Sequence, residues 1–348
     1  MLPSSSDRPF ATPEDQRRCR AAIITGSKTF YSASKLLPNS VRKPAYGLYA
    51  FCRLSDDAID LDGGSLQALN RLYFRLDRCH RGRPLPNPAD RAMADLLSAH
   101  AVPVAIPEAL LEGLGWDAEG RRYETISDLH AYAARVASTV GVMMTLLMDV
   151  RKPSALARAC DLGAAMQLTN IARDVGEDAR NGRIYLPLQW LDEAGVDVAG
   201  FLSDPQPTAE LRSVVARLLE EARRLYAQAR SGIAELPRNC RPAILAASKI
   251  YADIGREVAD AGFDSVTRRA HTSGRRKLQL LAESLVEAPR ISTGWDAPAL
   301  PECAFLVDAV TTHRRRPIPA PRGLAAFTAP FVRTLALFER LERAEIYD

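Results

Sequence analysis

The sequence has 348 residues, of which 47% are hydrophobic and 25% are charged, with a formal net charge of +4. These values are typical of a soluble globular protein with a sizeable core, and they exclude a largely disordered chain. No stretch of about 20 apolar residues exists, so no membrane span is predicted. The basic residues are spread along the chain and balanced by 42 acidic ones, which argues against a nucleic-acid partner.

The first residues and the cysteines indicate a cytoplasmic protein. Residues 1–16 are polar and rich in Pro and Ser, without the apolar segment of a signal peptide, so we predict a flexible tail. The six cysteines are scattered and form no CxxC pair. They are typical of reduced thiols in the cytosol rather than of a disulfide framework or a zinc site.

Helical periodicity dominates the rest of the chain, and no convincing run of alternating strand residues interrupts it. Pro- and Gly-containing segments separate the helices. The pattern predicts an all-α fold, with helices over residues 45–61, 89–101, 106–116, 127–149, 154–179, 208–235 and 239–262.

The helix predicted over 45–61 carries a polar stripe. Asp56 and Asp60 are four residues apart, and Tyr49 and Arg53 precede them at helical spacing. Residues four apart lie on the same side of a helix, about 6 Å apart along its axis, so the two carboxylates can converge on one cation. Asp57 lies about 100° around the helix from Asp56 and is expected to be a less direct ligand.

A second stripe lies on the helix predicted over 154–179. Asp174 and Asp178 repeat the four-residue spacing, Gln167 and Asn170 precede them on the same face, and Arg173 is adjacent. One such pair alone favours an exposed polar face. Two pairs, each with a neighbouring arginine, favour two metal sites that face each other across a pocket. Mg²⁺ prefers carboxylate oxygens together with substrate phosphate, so we expect a site for two diphosphates.

These motifs resemble those of the squalene/phytoene synthase family. The likeness extends over roughly residues 20–290. It is carried by residues 49–53 and 56–60, 168–174, 178–180 and 183–187, with weaker similarity at 27–30 and 132–141.

The resemblance implies a single-domain isoprenoid-synthase fold with a central cavity, over residues 17–290. It implies a prenyltransferase of carotenoid biosynthesis that condenses two geranylgeranyl diphosphates head to head. The expected reaction passes through prephytoene diphosphate to phytoene and releases two diphosphates.

The resemblance also implies roles for individual residues. The expected ligands of Mg²⁺, or alternatively Mn²⁺, are Asp56, Asp60, Asp174 and Asp178. The residues expected to bind or position diphosphate are Arg53, Arg173, Ser27 and Tyr251. Those expected beside the second metal cluster are Gln167 and Asn170, and those expected along the hydrocarbon tunnel are Val136, Val140 and Gly141. The candidates for cation stabilisation or phosphate contact are Tyr49 and Tyr185.

The C-terminal part has a different character. Residues 291–322 are rich in Pro and Arg and are predicted to be a linker, and residues 323–348 form a helical pattern with one apolar stripe. Such a helix packs on the main body or lies on the inner face of an anionic membrane. The sequence leaves both interpretations open.

Two alternatives to the expected activity remain open. A dehydrosqualene or squalene-type synthase would use farnesyl diphosphate with the same motifs. A non-catalytic scaffold relative is disfavoured, because all four carboxylates are present and buried acids without a cation destabilise a cavity.

Overall fold

The computed structural model describes residues 9–61, 66–294 and 297–313, and at residues 60 and 61 it describes the backbone only. Within these ranges every regular element is a helix. The α-helices are α1 (Pro13–Gly26), α2 (Lys28–Ser34), α3 (Asn39–Leu61), α4 (Leu66–His80), α5 (Pro88–Ala99), α6 (Ala105–Ala118), α7 (Ile126–Ala133), α8 (Thr139–Leu147), α9 (Pro153–Arg180), α10 (Leu188–Ala194), α11 (Val198–Ser203), α12 (Ala209–Ile233), α13 (Arg241–Asp260), α14 (Gly274–Glu287) and α15 (Ala304–Thr311).

Local sequence explains where many of these helices begin. Thr12 and Asp15 form a capping box at the start of α1, and Thr125 and Asp128 form another at α7. Each box satisfies backbone N–H groups that have no partner within the helix. Proline occupies the first turn of α5, α9 and α13, where its missing N–H costs nothing.

The 28-residue helix α9 organises the fold. It packs along α12 and also contacts α8 and α13. A π-helical turn, Ala134–Ser138, joins α7 to α8 and lies directly against α9. This close approach depends on Gly163, because a Cβ there would lie 2.7 Å from the Cα of Ser138 and 2.8 Å from the carbonyl of Ala137. The absence of that side chain lets the π-turn reach the centre of the molecule.

Several helices differ from the sequence predictions in their boundaries or continuity. The helix predicted over 127–149 is interrupted by the π-turn, which widens one turn of backbone without a Pro or Gly signal. The helix α1 begins inside the predicted tail, since the capping box stabilises its first turn. The helix α3 begins six residues before the predicted 45, because it accommodates Pro44.

The predicted linker over 291–322 is also partly wrong, because it contains α15. Leu306 and Val310 of α15 are buried, which explains why this short segment is helical. The amphipathic helix predicted over 323–348 lies outside the described residues. Within the described ranges, no helix is both long and apolar enough to cross a membrane.

Candidate active site

An apolar cavity runs along α9 and is enclosed by α2, α3, α8, α12, α13 and the π-turn. Six residues proposed from the sequence line it: Tyr49, Val136, Val140, Gly141, Gln167 and Asn170. The remaining walls are mainly aliphatic, with Phe30 from α2. The structure thus brings one polar end, next to the second acidic motif, together with a long hydrocarbon surface.

Asn170 is the most telling polar residue of this cavity. Its Oδ1 atom is buried, and no hydrogen-bond partner for it exists among the described residues. A buried amide oxygen without a partner costs about 1–3 kcal/mol. Because the side chain lines the cavity, a bound ligand or ion is the natural partner for this oxygen.

The predicted diphosphate contacts at Ser27 and Tyr251 lie beside the cavity rather than in its wall. The Ser27 hydroxyl accepts a hydrogen bond from the backbone N–H of Phe30 at 3.3 Å and so caps α2. The ring of Tyr251 packs against Phe30, with 5.0 Å between ring centroids. Both residues therefore position Phe30, and their contact with substrate stays a prediction.

The carboxylate of Asp174 is held by two arginines. Arg173 donates from Nε and Nη2 at 2.8 and 2.5 Å, and Arg269 donates from Nε at 2.7 Å. Burial by itself raises the pKa of Asp174, but the hydrogen bonds from both arginines outweigh it and hold the pKa below its usual value. Asp174 is therefore a fixed negative charge flanked by two guanidinium groups that can bind phosphate bidentately.

Asp178 lies one turn further, and the nearby charge of Arg183 compensates its burial only in part. Burial raises the pKa of its carboxyl to about 7, and the nearby Asp174, Glu177 and Asp117 add to the effect. Crowded, half-buried carboxyl groups of this kind fit a divalent cation, because the cation would replace the mutual repulsion with attraction. The donor set of the second motif thus suits Mg²⁺ or Mn²⁺.

The first motif is more exposed. Arg53 lies 2.8 Å from Asp57 and 3.7 Å from Asp56, and the side chains of all three are close to half exposed. Asp60 lies within α3, but its side chain is outside the described part of the structure. Among the described side chains, no three His, Cys, Asp or Glu groups lie close enough to form a metal site. The four-carboxylate ligand set stays a prediction.

A tyrosine cluster around Asp117 was not found from the sequence. Tyr132 donates to both carboxylate oxygens of Asp117 at 2.9 Å, and Tyr185 donates to one at 2.7 Å. The ring of Tyr123 lies 5.1 Å from that of Tyr132. Burial raises the pKa of Tyr132 and Tyr185, so both hydroxyls remain protonated donors. The charge of Asp56 helps to raise the pKa of Asp117, and the charge of Asp117 helps to raise the pKa of Asp178. The tyrosine cluster therefore lies near both acidic motifs.

The carboxyl of Asp117 should make stability depend on pH. Burial raises its pKa to about 6, against the hydrogen bonds from Tyr185 and Tyr132. The folded-state pKa exceeds the unfolded value of 3.8, so the folded protein favours the protonated carboxyl of Asp117. Its contribution to the free energy of unfolding is complete below about pH 4 and is lost as pH rises through 6. The free energy of unfolding of the wild type minus that of Asp117→Asn should fall by about 2.4 kcal/mol between pH 4 and 7. Denaturant titrations of both proteins test this, and a flat difference would contradict it.

Comparison with solved structures identifies the class of fold. A dehydrosqualene synthase in complex with a ligand superposes with a TM-score of 0.72 at 32% identity, covering 80% of this chain and 97% of the other. A squalene synthase from Alicyclobacillus acidocaldarius gives a TM-score of 0.65 at 23% identity, covering 72% and 95%, and so supports the fold alone. The all-α isoprenoid-synthase fold predicted from the sequence is confirmed.

Comparison of sequences identifies the family. The squalene/phytoene synthase family model matches residues 24–276. A phytoene synthase of Rhodobacter capsulatus is 52% identical over 311 residues, covering 87% of this chain and 92% of the relative. One of Cereibacter sphaeroides is 51% identical over 316 residues, covering 86% and 89%. The chain belongs to the squalene/phytoene synthase family, as the acidic motifs predicted.

Proposed function

We propose that this protein is a prenyltransferase that condenses two geranylgeranyl diphosphates head to head to give phytoene. The observation that carries the proposal is the long apolar cavity whose polar end, at Gln167 and Asn170, adjoins the acidic motif of α9. The relatives that are about half identical over most of the chain and are named phytoene synthase support the same activity.

In the first step one diphosphate leaves, the double bond of the second molecule captures the allylic cation, and loss of a proton closes the ring of a cyclopropyl intermediate. In the second step the other diphosphate leaves, the ring rearranges, and loss of a proton gives phytoene. The proposed cation ligands are Asp56, Asp60, Asp174 and Asp178. Bound Mg²⁺, or Mn²⁺, would neutralise the diphosphate and make it a better leaving group. Arg53 and Arg173 supply guanidinium groups for its oxygens, and Arg269 adds a third.

The chain's own residues then protect the cation. The aliphatic walls exclude water, and aromatic faces stabilise positive charge without acting as nucleophiles. Tyr49 lines the cavity, and Asp117 fixes the hydroxyls of Tyr132 and Tyr185 by accepting their hydrogen bonds. We therefore assign Tyr49 to cation stabilisation, retain Tyr185 as a candidate for the same role, and assign Asp117 to the orientation of Tyr132 and Tyr185.

A second candidate uses the same chemistry on farnesyl diphosphate. The superposition on a dehydrosqualene synthase at 32% identity favours keeping it. The test is an incubation of the purified protein with either diphosphate and Mg²⁺, followed by mass analysis of the organic extract. A C40 hydrocarbon from geranylgeranyl diphosphate supports the proposal. A C30 product formed only from farnesyl diphosphate would show that farnesyl diphosphate is the substrate. No hydrocarbon from either diphosphate would favour the scaffold alternative.

We further propose that the protein works in the cytoplasm, attached peripherally to the inner face of the membrane. The apolar product needs a lipid phase, and the sequence of residues 323–348 has the stripe of an interfacial helix. Deleting residues 321–348 should reduce co-sedimentation with anionic liposomes. Unchanged co-sedimentation would contradict the role of this segment.

A further inference from the structure

One charged residue, Arg158, lines the apolar cavity within the described part of the chain. It lies on α9, twelve residues before Asn170, which places it roughly 18 Å along the helix axis from the polar end. The side chain is 2% exposed. Ala155, about one turn further along α9, also lines the cavity, so Arg158 lies near its remote end. A charge so far from the polar end has no place in the diphosphate chemistry and requires another explanation.

The guanidinium of Arg158 is held by polar partners. Its Nε atom lies 2.7 Å from a carboxylate oxygen of Asp161, which is 1% exposed. Its Nη2 atom donates to the backbone carbonyl of Pro298 at 3.0 Å. The aliphatic stem of Arg158 packs against α12.

Gly232 of α12 makes room for this stem. A Cβ at Gly232 would lie 2.2 Å from the Cβ of Arg158 and 2.8 Å from its Cγ. Both residues line the cavity. The stem of Arg158 and the bare backbone of Gly232 therefore share one surface at this end.

The carbonyl that holds Arg158 belongs to a segment, residues 297–303, that we call the strap. Leu300 of the strap packs against two clusters of buried hydrophobic side chains, one that includes Leu48 of α3 and one that includes Leu218 of α12. Cys303 is fully buried. The Cys303 thiol donates to the hydroxyl of Ser138 in the π-turn, with 3.7 Å between the heavy atoms. The strap lies beyond residues 24–276, which the family model matches.

We propose that Arg158, tied to Asp161 and to the strap, is the floor of the cavity and determines the length of prenyl chain that the enzyme accepts. The proposal rests on the proposed function and names the specificity determinant of the same site. An aliphatic floor can shift its rotamer for a longer chain. A guanidinium held by a buried carboxylate and a carbonyl cannot move in this way, because the movement would leave an unpaired charge in the interior.

The position of the chain tip can be measured on the wild-type protein. A geranylgeranyl diphosphate analogue with a diazirine on its terminal isoprene unit is bound in the presence of Mg²⁺, irradiated, and located by peptide mass spectrometry. We expect crosslinks within residues 155–159 or 232–236. Crosslinks confined to other parts of the cavity would overturn the proposal. This experiment needs binding but no turnover. It therefore tests the position of the chain tip separately from the proposed activity.

Two variants should change the chain length in opposite directions. Arg158→Ala/Asp161→Ala removes both charges together and deepens the floor. In competition among C15, C20 and C25 prenyl diphosphates, its C25:C20 incorporation ratio should rise about tenfold, the lower end of the discrimination that one methylene group gives in an apolar pocket. Gly232→Ala pushes the Arg158 stem into the cavity and should lower the C20:C15 ratio by a similar factor.

The control is Arg75→Ala/Asp90→Ala, a second pair with a fully buried carboxylate, 2.7 Å apart and outside the cavity lining. It should leave both incorporation ratios unchanged. Unchanged ratios in the Arg158 and Gly232 variants, or equal shifts in the control, would overturn the proposal. If the Arg158 double variant does not fold, Gly232→Ala and the crosslinking experiment decide.

Discussion

Replacing Asp174 with asparagine is expected to lower kcat/KM by about 10³-fold, the loss typical when a preorganised electrostatic group is removed from an active site. The asparagine keeps the shape but removes the charge that a cation would bind. It also turns amide hydrogens towards Arg173 or Arg269, which now hold this carboxylate from both sides. Steady-state formation of the hydrocarbon product from geranylgeranyl diphosphate measures the effect.

The matched control for this variant is Asp253→Asn. Asp253 is 3% exposed on its side chain and lies within 2.9 Å of Arg256 and 3.1 Å of Arg276, so it too is a buried carboxylate held by two arginines. It belongs to α13 and is not part of the cavity lining. Both variants should be less stable, but only Asp174→Asn should lose turnover. Equal losses of activity would reduce Asp174 to a structural role.

The parts of the site that the sequence predicted are those encoded within one helix. Asp174, Asn170 and Gln167 follow each other at three- and four-residue spacing, and such spacing fixes a shared face whatever the tertiary fold. In the structure Gln167 and Asn170 line the same cavity as Tyr49, and their place beside a metal cluster stays a prediction. The duplication of the carboxylate pair predicted that α3 and α9 serve one site, and the resemblance to the family implied the same arrangement.

The parts that were missed depend on contacts between distant segments. Asp117 is followed by Tyr132 only fifteen residues later, but Tyr185 comes from beyond the end of α9. Arg269 reaches Asp174 across 95 positions from a segment without helical periodicity. No local sequence pattern identifies such residues, because their role depends on which distant segments the tertiary fold brings into contact. Isolated polar residues beside aromatic ones were the sole available signal.

The strap is a second example of a contact that sequence patterns do not predict. Its composition, rich in proline, predicts a linker, and the local conformation is indeed irregular around Pro298. What composition cannot show is that the Pro298 carbonyl meets the buried guanidinium of Arg158 from 140 positions away. A segment that is irregular around Pro298 can thus hold a cavity-lining side chain in place.

Replacing Asn170 with leucine should separate stability from activity. The buried Oδ1 of Asn170 has no partner among the described residues, so an apolar side chain of similar size removes a penalty of about 1–3 kcal/mol. The variant should therefore melt at the same temperature as the wild type or higher. Its kcat/KM should fall by about 10²-fold, because the cavity loses the oxygen that awaits a ligand. Thermal unfolding and product formation are measured on the same preparation.

The neighbouring Thr169 provides the opposite case. Its hydroxyl is already satisfied, since it donates to the carbonyl of Ala165 at 2.8 Å and lies 3.1 Å from the hydroxyl of Tyr226. Thr169→Val should lower the melting temperature, because the Tyr226 hydroxyl is left buried without that partner, while turnover stays close to that of the wild type. If Asn170→Leu instead loses stability as Thr169→Val does, Asn170 is a structural residue. The expected opposition between the two variants follows from one difference: a satisfied polar group stabilises the fold, and an unsatisfied one is kept for a ligand.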